Sequence, residues 1–248
     1  MTPVYDFMWK GESASGNYGV DTLAIGSTVI AERRDKTSVV PGRSGLVHDQ
    51  DGAVEEVEIR LTIQLPYTQG RSVAPVQEIR RWLKGYGQLA LSTVSGRYMM
   101  AYITDQIALD PIVEGFTDRK GTVIFRCDPY LYHTDAQPVV LSEATVLNNP
   151  GDTAAEPVIT VNAIGDVDLM IGTQTILLTD LTGSIIIDSA AREAYREEET
   201  PGMLVNWNSH MSGDFPILNP GSNAISWSLG EGATLTSVVI SPKWRDEM

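Results

Sequence analysis

Apolar and polar residues alternate most regularly in the first half of the chain. Val57, Ile59, Leu61, Ile63 and Leu65 are interleaved with Glu56, Glu58, Arg60, Thr62 and Gln64, a period of two that stops at Pro66. That pattern predicts a half-buried strand of an antiparallel sheet, one face apolar and one charged. A different period follows. Val76, Ile79 and Leu83 recur at i, i+3 and i+7 with Trp82 beside them, while Gln77, Glu78, Arg80, Arg81 and Lys84 fall on the other side. This predicts one amphipathic helix near 75–85, with Pro75 in its first turn and Gly85 and Gly87 ending it.

Strands are predicted again at Leu89–Leu91, Tyr98–Ile103 and Ile107–Val113, and then a hairpin of 113–116 and Thr122–Cys127. Beyond residue 138 the chain reads as short strands alone: Pro157–Val161, Val167–Ile171, Thr175–Leu178, Ser184–Asp188, Ala224–Ser228 and Thr234–Ser241. Turn signals lie between them at Gly165-Asp166, Gly172-Thr173, Thr182-Gly183 and Pro220-Gly221, as in a β-sandwich. Asn149-Pro150-Gly151-Asp152 has the composition of a type II turn. Ala190–Glu199 has helix propensity, but it follows a strand directly and precedes Pro201-Gly202, so it is read as a strand returning in a hairpin. The chain is therefore mainly β, in two domains: 1–138 with the helix, and 139–248, a sandwich.

Composition narrows the function classes. The 248 residues carry a net charge of −14, divided unevenly. Residues 1–138 hold 14 Lys/Arg against 17 Asp/Glu, and residues 139–248 hold 4 against 15. An acidic chain is a poor binder of nucleic acid and is repelled by anionic membranes. The start, Met1 to Lys10, lacks a basic region followed by an apolar run, and the longest uncharged stretch, Phe215 to Gly230, contains two prolines. Neither a leader nor a membrane span is expected. With one cysteine, Cys127, the chain has no intramolecular disulfide and no multi-cysteine metal site. Cys127 shares a face with Val123 and Phe125 and reads as a small core residue.

Candidate chemistry is sparse. His48, Asp49, Asp51 and Gly52 contain an Asp-x-Asp-Gly fragment without the later ligands of a calcium loop, so a polar turn is the default. His133 and His210 sit in no metal-ligand spacing, and no phosphate loop or nucleophile elbow occurs. No cofactor, metal or catalytic residue is assigned, and the chain is not expected to be an enzyme. A glycoside hydrolase would need two carboxylates about 5–10 Å apart in a cleft, and no motif supports one. Glu56 and Glu58, with Arg60 on the same face, read as a solvated or partner-facing row. Trp207, in the polar loop Val205–Ser212, is the one indole open to a surface reading, in which Asn206, Asn208 and Asp214 would complete a glycan contact, but packing in the structure is the default for it as for the other tryptophans. Trp227 is expected in the core.

Several motifs in order carry a resemblance. Pro41-Gly42-Arg43-Ser44-Gly45 precedes the long strand, and Ile79-Arg80-Arg81-Trp82-Leu83 precedes Gly85–Gly87 and Leu89. Phe125-Arg126-Cys127-Asp128-Pro129-Tyr130 closes the first half. Asn148-Asn149-Pro150-Gly151, Glu156-Pro157, Gly183–Asp188, Phe215-Pro216-Ile217-Leu218, Pro220-Gly221-Ser222-Asn223 and Pro242-Lys243-Trp244-Arg245 follow. Over nearly its full length the chain resembles the distal tail (Dit) proteins of long-tailed phages; it departs from them at the acidic stretch Arg192–Thr200. The resemblance implies an N-terminal barrel-like domain with one helix and a galectin-like or carbohydrate-module-like C-terminal sandwich. It implies a virion protein of the tail tip, made in the bacterial cytoplasm, that forms a homo-hexameric ring. That ring would join the tail tube protein to the tail-associated hub protein and leave a channel for DNA, which Glu56 and Glu58 would face. The alternative is a carbohydrate-binding module for host adhesion, carried by Trp207.

Overall fold

The computed structural model describes residues 5–26, 30–45, 47–65, 74–104, 107–111, 119–198 and 202–248. The chain is mainly β, in two compact units: Met1–Leu131 with Glu247–Met248, and Tyr132–Asp246. The sequence pattern had placed the division near residue 138. Among the described residues, no helix is long and apolar enough to cross a membrane.

The period-two segment is the spine of the first unit. Val57–Leu65 pairs antiparallel with Arg119–Cys127, in register from Val57 opposite Cys127 to Leu65 opposite Arg119. Val57, Ile59, Leu61, Ile63 and Leu65 are all buried, with Val123, Phe125 and Cys127 among them. On the far side of Arg119–Cys127 the sheet continues through Arg97–Ile103, Gly85–Leu91, Phe7–Trp9 and Glu12–Ser13, while Asp21–Ile25 forms the other edge. The arm of the expected hairpin at 113–116 lies outside the described residues. Arg33–Ser38 and Val47–Val54 form a separate two-stranded sheet.

The expected helix is present but shorter, at Val76–Trp82, with Pro75 as its N-cap. It buries Ile79 and Trp82, and Leu83 follows as the C-cap. Gly85 and Gly87 do not end it; they open the next strand. Gly87 is small for a reason of packing, because a Cβ there would lie 2.6 Å from Cγ of Lys10. A second helix, Ala14–Tyr18, has no apolar periodicity and was not predicted. Its ends make it: the Ser13 hydroxyl accepts the Gly16 N–H, and Gly19 turns the chain at φ 67°.

In the second unit four of the predicted strands are halves of two long ones, Val158–Ile171 and Gln174–Asp188, joined at the Gly172-Thr173 turn. Gly165-Asp166 is not a turn but a bulge. Before it the strand pairs with Thr234–Ser241, and after it with Gly221–Leu229. Gly165, at φ +89°, lets the strand bend between those neighbours with Ala233 close against it. Thr182-Gly183 likewise lies inside a strand. The contested segment is a turn followed by the strand Glu193–Glu197, which returns antiparallel to Gln174–Asp188. Asn149–Asp152 is not a type II turn, since Gly151 is not at positive φ. The Asn149 side chain shapes it instead, accepting the Gly151 N–H at 2.8 Å and donating to the carbonyls of Thr153 and Leu218. A Cβ on Gly151 would lie 2.2 Å from the Arg245 carbonyl oxygen, which is why glycine stands there.

Candidate functional site

Two surfaces singled out in the sequence are built by these strands. The first is the outward face of the spine. Glu58 points away from the core, and Arg126 is its direct cross-strand neighbour. One Glu58 oxygen lies 3.2 Å from Arg126 Nη2 and the other 3.1 Å from Arg60 Nη2. Glu56 accepts a hydrogen bond from the Tyr102 hydroxyl at 2.7 Å. That bond is the main reason the Tyr102 phenol is held above its ordinary value. The row is therefore hydrophilic and mixed in charge: the Glu58 carboxylate is paired with two guanidiniums, Glu56 holds a phenol, and Asp128 adds a further negative charge beside Tyr102. Tyr102 and Arg126 were missed in the sequence because they reach the row only through cross-strand pairing.

The second surface surrounds Trp207. Trp207 is buried, at 8% exposure, which agrees with the packed reading and counts against the surface one. Trp207 donates its backbone N–H to Ala194 O, and the Asn208 side chain accepts the Ala194 N–H at 2.6 Å, so the loop is tied to Glu193–Glu197. The Arg196 guanidinium lies 4.6 Å from the indole centroid and the His210 ring 4.5 Å away. The Asn206 side chain accepts the Asn208 N–H at 3.1 Å, and Asp214 is exposed. Trp227 is partly buried and packs against the core of the second unit. Arg196 was not foreseen. Its signal was its rarity, as one of four cations in 139–248.

The remaining candidates have structural partners. His48 Nδ1 lies 2.5 Å from Asp35 Oδ2 across the separate hairpin, and nothing is described of the Asp49 and Asp51 side chains. Among the described residues, no group of three or more metal-ligating side chains gathers. His133 is buried, with Nε2 3.0 Å from Asp246 Oδ2, and His210 Nδ1 lies 2.9 Å from the Thr179 carbonyl oxygen. Burial, reinforced by Asp128 and Glu56, pushes the Cys127 thiol up to about 12, the opposite of what a nucleophile needs.

No protein-family model matches the chain, and no curated protein sequence matches it. A solved structure does. It is the crystal structure of the SPP1 Dit (gp 19.1) protein, described as a paradigm of the hub adsorption apparatus in phages infecting Gram-positive bacteria. Sequence identity is 14%, the TM-score is 0.62, and the match covers 99% of this chain and 99% of that one. At that identity the likeness is one of fold, and from end to end the fold of this chain is that of a Dit hub protein.

Proposed function

We propose that this chain is a non-catalytic structural protein of a phage tail-tip hub, resident in the virion after synthesis in the bacterial cytoplasm. The observation that carries this reading is the structural correspondence with SPP1 Dit over 99% of both chains, both units included. A protein with one sandwich in common would share half the chain; a shared hub role fits the whole. In this reading six copies close a ring through heterologous contacts, with the tail tube protein on one side and the tail-associated hub protein on the other. The central hole passes DNA. Charge distribution supports the first unit as the assembling part. It is nearly balanced, whereas the 15 acids against 4 cations of residues 139–248 would oppose close packing of copies there.

Images of the purified full-length protein test the ring. A six-fold ring with a central hole and peripheral lobes is expected; single monomers in the images, with a monomeric mass by light scattering at tens of micromolar, overturn self-assembly. The Glu56 and Glu58 row is assigned to the channel wall, where a hydrophilic surface without net positive charge would not hold a polyanion. Changing both residues to Lys would place two more cations beside Arg60 and Arg126 and create a phosphate-binding patch. Genome delivery in an infection assay should then fall while rings still form. Unchanged delivery removes the row from the channel.

A further inference from the structure

Each unit carries a charged face that its own residues leave unbalanced. In the first unit it is the outward side of the helix Val76–Trp82. Ile79, Trp82 and Leu83 are buried, so at 3.6 residues per turn Gln77, Arg80, Arg81 and Lys84 fall together on the opposite side, all exposed. Lys10 adds a fourth cation at the end of the helix, where its Nζ donates to the Lys84 carbonyl. Glu78 lies to one side, near Tyr18. Among the described residues, Arg80, Arg81 and Lys84 form no ion pair.

In the second unit it is the outer side of Glu193–Glu197. Ala194 is buried, so Glu193, Tyr195 and Glu197 point the other way, with Asp188 opposite Glu193 and Ile186 opposite Tyr195. The Tyr195 rung runs on across the sheet through Ile186, Thr160, Val239 and Val140, and Leu204 lies opposite Glu197. Val140 and Leu204 are more than half exposed, so this apolar rung is uncovered. Burial first, and then the carboxylates of Asp188, Glu193 and Glu197, hold the Tyr195 phenol above its ordinary value, which places all three acids near the ring. None of the three pairs with a cation among the described residues, Arg192 in the preceding turn included.

A part-exposed aromatic ring among carboxylates suits a guanidinium. The ring face attracts the cation, the acids neutralise it, and its stem covers apolar surface. The second unit has few cations to offer, since Arg196 and Arg245 are already paired with Glu198 and Glu156. The helix face of another copy supplies them in a cluster. We propose that the outward face of Val76–Trp82 in one copy docks on the Tyr195 face of the next, Arg80 and Arg81 reaching the Tyr195 ring and the carboxylates of Asp188, Glu193 and Glu197. The contact joins two different surfaces, so it is heterologous and repeats around a closed ring. It rests on the hub reading and deepens it: second units repel one another, but each holds the first unit of its neighbour.

Sedimentation velocity of the full-length protein tests the contact. Assembly of the parent should weaken between about 0.1 and 1 M salt, as the Debye length falls from roughly 10 to 3 Å. Arg80→Glu with Arg81→Glu, and separately Glu193→Lys with Glu197→Lys, should each raise the concentration needed for assembly roughly tenfold or more, with thermal unfolding unchanged. Mixing the two variants should restore assembly, since each then meets an opposite charge on its neighbour. Should a reversed variant fail to fold, Arg80→Gln with Arg81→Gln and Glu193→Gln with Glu197→Gln remove the charges and should weaken assembly in the same direction. Variants that assemble as the parent does overturn the contact and leave the ring standing. Weakened variants whose mixture stays apart overturn it too, because the charges then act within one chain. A parent that stays monomeric at every salt concentration removes self-assembly and this contact together.

Discussion

Cys127 has no exposed surface in the core of the first unit, and its thiol is raised from 9.0 to about 12, chiefly by burial. Two consequences follow at the scale of this residue. A thiol reagent at pH 8 should leave the native protein unmodified and label it only as fast as it unfolds; rapid labelling of the folded protein would contradict the burial. The native thiol also binds its proton more tightly than the unfolded one. The stability this contributes is complete below pH 9.0 and is lost as pH rises towards about 12. Tyr18, also raised to about 12, by burial and then its hydrogen bond to Glu12, adds in the same direction above its ordinary 10.0. Denaturant midpoints should therefore fall through this alkaline window. Cys127 was legible as a core residue because it shares a strand face with Val123 and Phe125. The cover on Trp207 was legible only in part: His210 comes from the turn that follows it, whereas Arg196 reaches it from the strand Glu193–Glu197.

Among the elements, the helix Val76–Trp82 is too short to stand alone in water. It is held by an exchange of hydrogen bonds with the strand Phe7–Trp9. Trp9 Nε1 donates to the Trp82 carbonyl at 3.0 Å, and Trp82 Nε1 donates to the Trp9 carbonyl at 3.2 Å. Phe7 and Tyr18 stack on Trp82 with centroids 5.5 and 4.2 Å away. Trp82→Phe keeps an aromatic face but removes the indole N–H that the Trp9 carbonyl accepts in a buried site. It should destabilise the protein by about 1–3 kcal/mol, read from equilibrium unfolding; a loss below roughly 0.5 kcal/mol would mean that the bond is dispensable. The buried face of this helix was visible in its i, i+3, i+7 spacing. The 3.2 Å and 3.0 Å exchange was not, because its two partners lie 73 residues apart.

Over the whole molecule, the chain end belongs to the first unit although the preceding hundred or so residues form the second. Met248 donates its N–H to the Pro129 carbonyl and accepts the Ala31 N–H, and Glu247 pairs with Arg33 at 3.0 Å. Deleting Glu247 and Met248 should therefore speed hydrogen exchange around Ala31 and Pro129 while Val158–Ile171 stays protected; uniform exchange or none would refute this division. The sequence by itself determined the β class, the buried faces of Val57–Leu65 and Val76–Trp82, and the presence of a strand between Ala190 and Glu199. The first two rest on alternation or spacing within a few residues, which the solvent imposes wherever the element lies, and the third on the segment's place between a strand and a Pro-Gly turn. Only the tertiary structure decided that Gly165 is a bulge, that Glu58 is neutralised by Arg126, and that the last two residues return to the first unit. Each depends on residues far apart in sequence coming together, and local periodicity carries no record of which strand will lie beside which.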